Sequence, residues 1–326
     1  MTTRQTFLSS LVILLVLGGA VLCALRWQAW FGMPEEPIWQ GSKTAYTFHC
    51  FGDDSLPGFV QDEQGYWQDT LLPDTLDILL LGDVHSLLTH ADYDTLASRV
   101  PHADCYAQLG DWLERGYEYY AQQLAFALKG TRLDSIPVIS CPGNHEYHKG
   151  LRRPLSPLWN EMFCHPKNGF AGFENTTYYV DFKGLRFIAI DTEGLRWLHD
   201  YTRLNTWLTG VIRQASDRFV VVIMHHPVYS ASRGRFNPGV YLSCVAPLRE
   251  ADLVIAGHDH QYARQLPFVE MTSTTTEHTP RFRHYHERQG VTSVYYQQLS
   301  LWGDTLRMRT YRLADGELYD ECFLTR

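Results

Sequence analysis

The chain carries no low-complexity tract and no internal repeat, so nothing in it reads as a disordered linker or a stacked repeat array. Positive charge is in short supply: 28 Lys and Arg face 36 Asp and Glu, a formal net charge of −8. General binders of nucleic acid or anionic membranes draw their affinity from clustered Lys and Arg, so no nucleic-acid partner is expected. A His-x-His-x-Asp-His cluster, on which metal-dependent amidases and lactamases rely, is missing. Cysteine is sparse, with six beyond residue 30: Cys50, Cys105, Cys141, Cys164, Cys244 and Cys322. An even number permits disulfides in an exported domain, but Cys105 and Cys141 sit inside apolar strand candidates and are expected as buried free thiols. What remains is an ordinary globular composition, 45% hydrophobic and 20% charged, in 326 residues. That suffices for one large domain or two modest ones.

The first thirty residues differ from the rest. Phe7 to Leu25 is an uncharged run of 19 residues, followed by Trp27, Trp30 and Phe31. At about 1.5 Å per residue such a run spans roughly the bilayer core, and the aromatics suit an interfacial belt. Residues 1–30 are therefore expected to form one transmembrane anchor, with a cleaved signal peptide as the alternative. Arg4 and the terminal amine on one side, against Arg26 on the other, set the orientation weakly. The remaining domain, residues 31–326, is read as extracytoplasmic. Asn175-Thr176-Thr177 is a glycosylation sequon, with meaning only in a eukaryotic secretory setting.

From Asp77 onward, five apolar runs each end in a polar signature. Ile78–Leu81 delivers Asp83-Val84-His85; Cys105–Leu109 delivers Gly110-Asp111; Ile136–Ile139 delivers Gly143-Asn144-His145-Glu146. Phe219–Met224 delivers His225-His226-Pro227, and Leu253–Ala256 delivers Gly257-His258-Asp259-His260. Short aliphatic runs cut off by Gly or polar clusters read as buried strands, and ligands in open α/β sheets collect at strand C-terminal edges. Helices are expected at Tyr93–Val100, at Tyr117–Lys129 with Gly130 as its stop, and at Leu204–Gln214. Tyr178–Asp181 and Leu185–Asp191 read as a hairpin around Lys183-Gly184, and three strands are expected in the tail: Val291–Leu301, Thr305–Tyr311 and Leu318–Leu324. The pattern predicts one layered α/β or α+β domain. Asp, His and Asn converging on one edge are metal-ligand chemistry, and metal ions let an acidic protein bind phosphate.

The order and content of the signatures resemble the calcineurin-like metallophosphoesterase family. The context is similar to its purple-acid-phosphatase-like branch, with a Tyr-Tyr strand and Asp191 before the His-x-Pro signature and Tyr262 and Arg264 after the last. The resemblance implies a layered fold of mixed β-sheets forming a sandwich flanked by helices. It implies two divalent metal ions (Mn, Fe or Zn), one held by Asp83, His85, Asp111 and His260, the other by Asp111, Asn144, His225 and His258. It further implies hydrolysis of small-molecule phosphate mono- or diesters by a metal-bridged hydroxide, with His145 as general acid. Glu146, where many members have Asp, is a candidate to orient His145. Purple acid phosphatases place a Tyr three residues after the bridging Asp; here that residue is Glu114, so ferric colour chemistry is not expected. By the same resemblance His226 is expected to be a neighbour and Asp259 to point away. Basic residues His148, Lys149, Arg152, Arg153, Arg233 and Arg235 are candidates for substrate phosphate, and Phe282, His284, Tyr285, His286 and Arg288 for stacking on a base or aryl group. The alternative function is a non-catalytic metal-binding scaffold that serves as an interaction module.

Overall fold

Apolar runs of four to seven residues alternate their side chains between two faces, and here both faces are buried, so each strand lies inside a layered stack. The computed structural model of the protein describes residues 46–52, 56, 59–63, 67–69, 75–148, 153–196, 201–230, 237–270, 288–289 and 294–326. The expected anchor at residues 1–30 lies outside these. Among the described residues no helix is long and apolar enough to cross a membrane.

The strands that carry the core are β1 (Thr75–Leu81), β2 (Cys105–Gln108), β3 (Val138–Ser140), β4 (Tyr178–Phe182), β5 (Leu185–Ile190), β6 (Phe219–Met224), β7 (Leu253–Ala256), β8 (Tyr295–Trp302), β9 (Thr305–Arg312) and β10 (Leu318–Thr325). Among the described residues they form two mixed sheets. One is six-stranded in the order β10-β9-β8-β1-β2-β3. The other is nine-stranded, with β4-β5-β6-β7 at its centre. In the first, β1, β2 and β3 run parallel and β8 pairs antiparallel with β1. In the second, β5, β6 and β7 run parallel. Parallel neighbours bring all their C-terminal ends to one edge.

The period of two sorts the core. Ile78 and Leu80 from one sheet, and Val221, Ile223, Leu253 and Ile255 from the other, fill the space between the sheets. The alternate residues Leu79, Leu81 and Tyr106 pack outward against α1 (His90–Arg99) and α2 (Glu118–Leu128). On the far side Val220, Val222, Met224 and Val254 pack against α5 (Tyr201–Gln214) and α6 (Pro238–Leu248). The short helices α3 (Leu158–Met162) and α4 (Thr192–Leu195) lie in the connections. The result is helices, sheet, sheet, helices, as the sequence pattern and the resemblance together implied.

Local chemistry sets the element ends. α1 begins three residues before the expected Tyr93, because Thr89 and Asp92 form a capping box. The α2 run stops at Gly130, whose φ is 81°. α6 escaped the sequence reading: its Pro238 is at the first turn, where Pro fits, but Pro247 inside the helix argued against one. Burial of Val240, Cys244 and Leu248 overrides that penalty. At the end opposite the signatures, buried Lys183 donates to Asp104 Oδ1 at 2.9 Å and to the Thr75 carbonyl at 2.7 Å. It ties the β4–β5 turn to the other sheet.

No disulfide joins the cysteines among the described residues. The sequon asparagine has a structural task instead: Asn175 Nδ2 donates to Asn160 Oδ1 (2.7 Å) and to the Phe163 carbonyl (3.1 Å). Its Oδ1 accepts from the His165 N–H at 2.9 Å.

Candidate metal centre

All five signatures arrive at one edge, carried by β1, β2, β3, β6 and β7. The backbone there is unusual. Of the eight described non-glycine residues with left-handed φ, five are candidate ligands: Asp83 (49°), His85 (50°), Asp111 (52°), His258 (74°) and His260 (53°). Each such residue costs on the order of 1–3 kcal/mol and persists only where its surroundings impose it. Glycines make the close approach possible. A Cβ on Gly143 would lie 2.2 Å from Asp111 Oδ1, and one on Gly257 would lie 2.6 Å from Asp83 Oδ2.

The side chains converge as two overlapping groups. In one, His260 Nε2 is 3.3 Å from Asp83 Oδ1 and 3.4 Å from His85 Nε2, which is 4.0 Å from Asp111 Oδ2. In the other, His225 Nε2 lies 3.3 Å from Asp111 Oδ2 and 3.1 Å from both Asn144 Oδ1 and His258 Nδ1. Within each of the sets Asp83–His85–His260 and Asp83–Asp111–His225, donor atoms lie no more than 4.8 Å apart. Asp111 stands between the two groups. His145 Nε2 is 3.9 Å from the same Asp111 oxygen.

The donor chemistry fits cations. His225 Nδ1 sits 2.9 Å from the Leu109 carbonyl, so that nitrogen carries the hydrogen and Nε2 offers its lone pair. That lone pair faces a carboxylate oxygen, an amide oxygen and another imidazole nitrogen, an arrangement that calls for positive charge between them. Burial alone would lower the pKa of His225, yet the Asp111 carboxylate raises it to about 10; a proton and a metal ion compete for such a place. Burial, followed by the charge of His225, holds His258 down at about 3. Burial likewise lowers His85. Both shifts favour the neutral ring, the form that ligates a metal. Against burial, His225 above all keeps Asp111 well below the usual carboxylate range.

Several supporting groups were invisible in the sequence, and one was misassigned. Glu146 does not orient the His145 ring. Its carboxylate accepts from the backbone N–H groups of Asp111 (2.9 Å), Leu113 (3.0 Å) and Gly143 (2.7 Å), stitching the second signature to the third. The longer side chain reaches across the gap that an Asp would leave. Burial and then the Asp111 charge push Glu146 up to about 7. The His145 ring is fixed by Glu114 instead, whose carbonyl lies 2.5 Å from Nδ1. The Glu114 carboxylate turns the other way, 3.5 Å from His85 Nδ1.

The remaining candidates sort by location. His226 is buried, 2.9 Å from Thr192 Oγ1 and 3.5 Å from Glu193 Oε2, with its ring beside His258. Asp259 accepts from Ser230. Tyr262 and Arg264 both bind Asp320 of β10, at 2.7 and 2.8 Å, and brace the second sheet against the first. Arg153 pairs with Glu193 at 2.9 Å near His145, while the His148 ring lies tilted, 5.8 Å from that of Tyr117. Lys149, Arg152, Arg233, Arg235, Phe282, His284, Tyr285 and His286 lie outside the described residues, and Arg288 is described by its backbone alone.

This ordered set of loops on a two-sheet sandwich has known counterparts. The family model for calcineurin-like phosphoesterases matches residues 76–262, which is more than half of the chain and holds every ligand candidate. The chain belongs to the calcineurin-like phosphoesterase family. A glycerophosphodiester phosphodiesterase, GpdQ of Enterobacter lignolyticus (strain SCF1), is 25% identical over 134 residues, covering 38% of this chain and 45% of that protein. The chain thus spans less than half the length of that curated relative. Purple acid phosphatase PPD1 from yellow lupin (Lupinus luteus) shares the fold at a TM-score of 0.57, with 14% identity over 80% of this chain and 56% of the lupin chain. GAP50, described as the anchor in the inner membrane complex of Plasmodium, superposes at 0.54 with 14% identity, over 77% of this chain and 89% of its own.

Proposed function

We propose that the protein hydrolyses phosphate mono- or diesters with two divalent metal ions, Mn, Fe or Zn. Asp83, His85, Asp111 and His260 would hold one, and Asp111, Asn144, His225 and His258 the other. The observation that carries this reading is the convergence of seven ligand side chains, five of them on left-handed backbone, around the shared carboxylate of Asp111. When bound, such a pair supplies positive charge to the phosphoryl oxygens and lowers the pKa of an attacking water. The protein's residues do the rest. Glu146 holds the two loops that carry Asp111 and Asn144 in register. The Glu114 backbone carbonyl accepts the Nδ1 hydrogen of His145, which leaves Nε2 as the nitrogen through which the ring, as an imidazolium, would hand a proton to a departing alkoxide. The partly exposed His145 ring beside Asp111 suits that task.

A non-catalytic scaffold would be favoured by lost ligands, and here all seven ligand positions and His145 carry the side chains the chemistry needs. The uncharged run Phe7–Leu25 supports a membrane-anchored form of the enzyme, and we place residues 31–326 outside the cytoplasm as part of the same proposal. Carbonate extraction and protease protection of the full chain test that part. The activity is tested with the full chain in detergent, supplied with Mn, Fe or Zn and given an aryl phosphomonoester and a bis-aryl phosphodiester. Metal-dependent turnover that is abolished by Asp111→Asn and by His258→Ala, with unchanged circular dichroism, is expected. A folded, metal-loaded protein that cleaves neither ester would overturn the proposal.

A further inference from the structure

Beside His145 opens a cleft of about 50 Å3, lined among others by Arg115, Tyr117, Asn144, His148 and Arg153. One water occupies about 10–15 Å3 on this scale, so the cleft has room for roughly four, or for one compact oxyanion. Its charge is lopsided. The acid among the described lining residues, Glu114, turns its carboxylate toward His85 Nδ1 at 3.5 Å. Arg153 Nη1 donates to Glu193 Oε1 at 2.9 Å, while Arg196 donates to the other oxygen at 2.8 Å. One buried carboxylate is thus shared by two guanidinium groups, and positive charge is left over. Arg153 is also held at φ 37°, a left-handed conformation at a position that is not a candidate ligand. Its side chain is 39% exposed, so much of the planar donor fork stays open to solvent.

From this we infer a second anion subsite: the cleft takes a leaving group that carries its own phosphate or carboxylate, gripped by Arg153 with Arg115 beside it. The inference deepens the phosphoesterase reading and depends on it, because His145 marks the side from which the alcohol departs. Glu193 is then a positioning residue. It aims Arg153 through one oxygen and is itself steadied by Arg196 through the other. A carboxylate or phosphate on the leaving group meets a fork prepared for bidentate pairing.

The test compares matched pairs on the full-length, metal-loaded protein. Turnover is measured on phenyl phosphate and 4-carboxyphenyl phosphate, and binding by calorimetry on the non-hydrolysable phenylphosphonate and 4-carboxyphenylphosphonate. The carboxylated member of each pair is expected to be preferred at least about tenfold, as a charge-assisted contact implies. Arg153→Gln should bring both ratios close to one, and Arg153→Lys should restore only part. Arg196→Gln, which loosens Glu193 without emptying the cleft, should retain most of the preference. Equal treatment of both members by the wild type would overturn the subsite, and so would a preference that survives Arg153→Gln. Equal losses in Arg153→Gln and Arg196→Gln would reduce Arg153 to a structural role. If neither ester turns over but the phosphonates still discriminate through Arg153, the hydrolase reading falls and the subsite stands. Failure to bind either phosphonate removes it.

Discussion

Replacing Gly143 by Ala presses on the centre at its tightest point. Real Cβ atoms do not approach other atoms within 3.0 Å, so the Asp111 carboxylate must retreat by about 0.8 Å, from 2.2 to 3.0 Å, if the loop holds still. It cannot retreat freely, because Oδ1 accepts from the His145 N–H at 2.8 Å and the Asp111 N–H is tied to Glu146 at 2.9 Å. Displacements near 1 Å at reacting groups cost about 100-fold in rate, which is about 2.7 kcal/mol of activation free energy. Overpacking adds a stability loss of about 1–3 kcal/mol. We therefore expect kcat/KM on an aryl phosphate ester to fall about 100-fold in Gly143→Ala, together with weaker metal retention by elemental analysis and a modest drop in Tm. Gly210→Ala is the control: nothing lies within 4 Å of a Cβ there, and it sits within α5. It should be neutral or stabilising, by up to about 1 kcal/mol. Turnover and metal content within twofold of wild type in Gly143→Ala would refute the claim that this contact fixes Asp111.

Two further perturbations probe the frame. His165 is buried between Tyr178 and Phe163, and burial lowers its pKa to about 3. A ring neutral in the fold but basic when unfolded contributes stability that is present above about pH 6.5 and lost as pH falls toward 3. Between about pH 7.5 and pH 5 it should cost the protein about 2 kcal/mol. Urea unfolding of His165→Gln should show a correspondingly shallower acid loss, and parallel losses in both proteins would contradict the assignment. Lys183→Met should cost about 3–5 kcal/mol by removing the cation from the buried Asp104 carboxylate. Asp104→Asn added to it should recover part of the loss, and a single-variant cost below about 1 kcal/mol would show the pair to be dispensable.

The strands and the side chains that converge at their edge were legible because they obey local rules. Phe219–Met224 and Leu253–Ala256 begin and end where their aliphatic runs do, and the polar groups that follow them are the ones at the sheet edge. The supporting groups were not legible, because their partners are remote in sequence. Glu146 reads locally as an aid to the neighbouring His145, yet its carboxylate reaches back 35 residues to the Asp111 N–H. Tyr262 and Arg264 follow the last signature closely in sequence, but Asp320, more than fifty residues on, claims both. Which strands join which sheet was equally hidden. β8 returns from the end of the chain to pair with β1, a contact that no local pattern announces.

The left-handed backbone at Asp83, His85, Asp111, His258 and His260 also bears on how such a protein would age in evolution. At each of these positions glycine is the conformation's natural tenant, and asparagine the next. A lineage released from hydrolysis would gain stability by drifting to those residues, whereas a working lineage must keep resisting that pull. Decay of the activity should therefore leave a signature: ligands replaced by Gly and Asn in excess of chance, on a chain that melts later than its active ancestor.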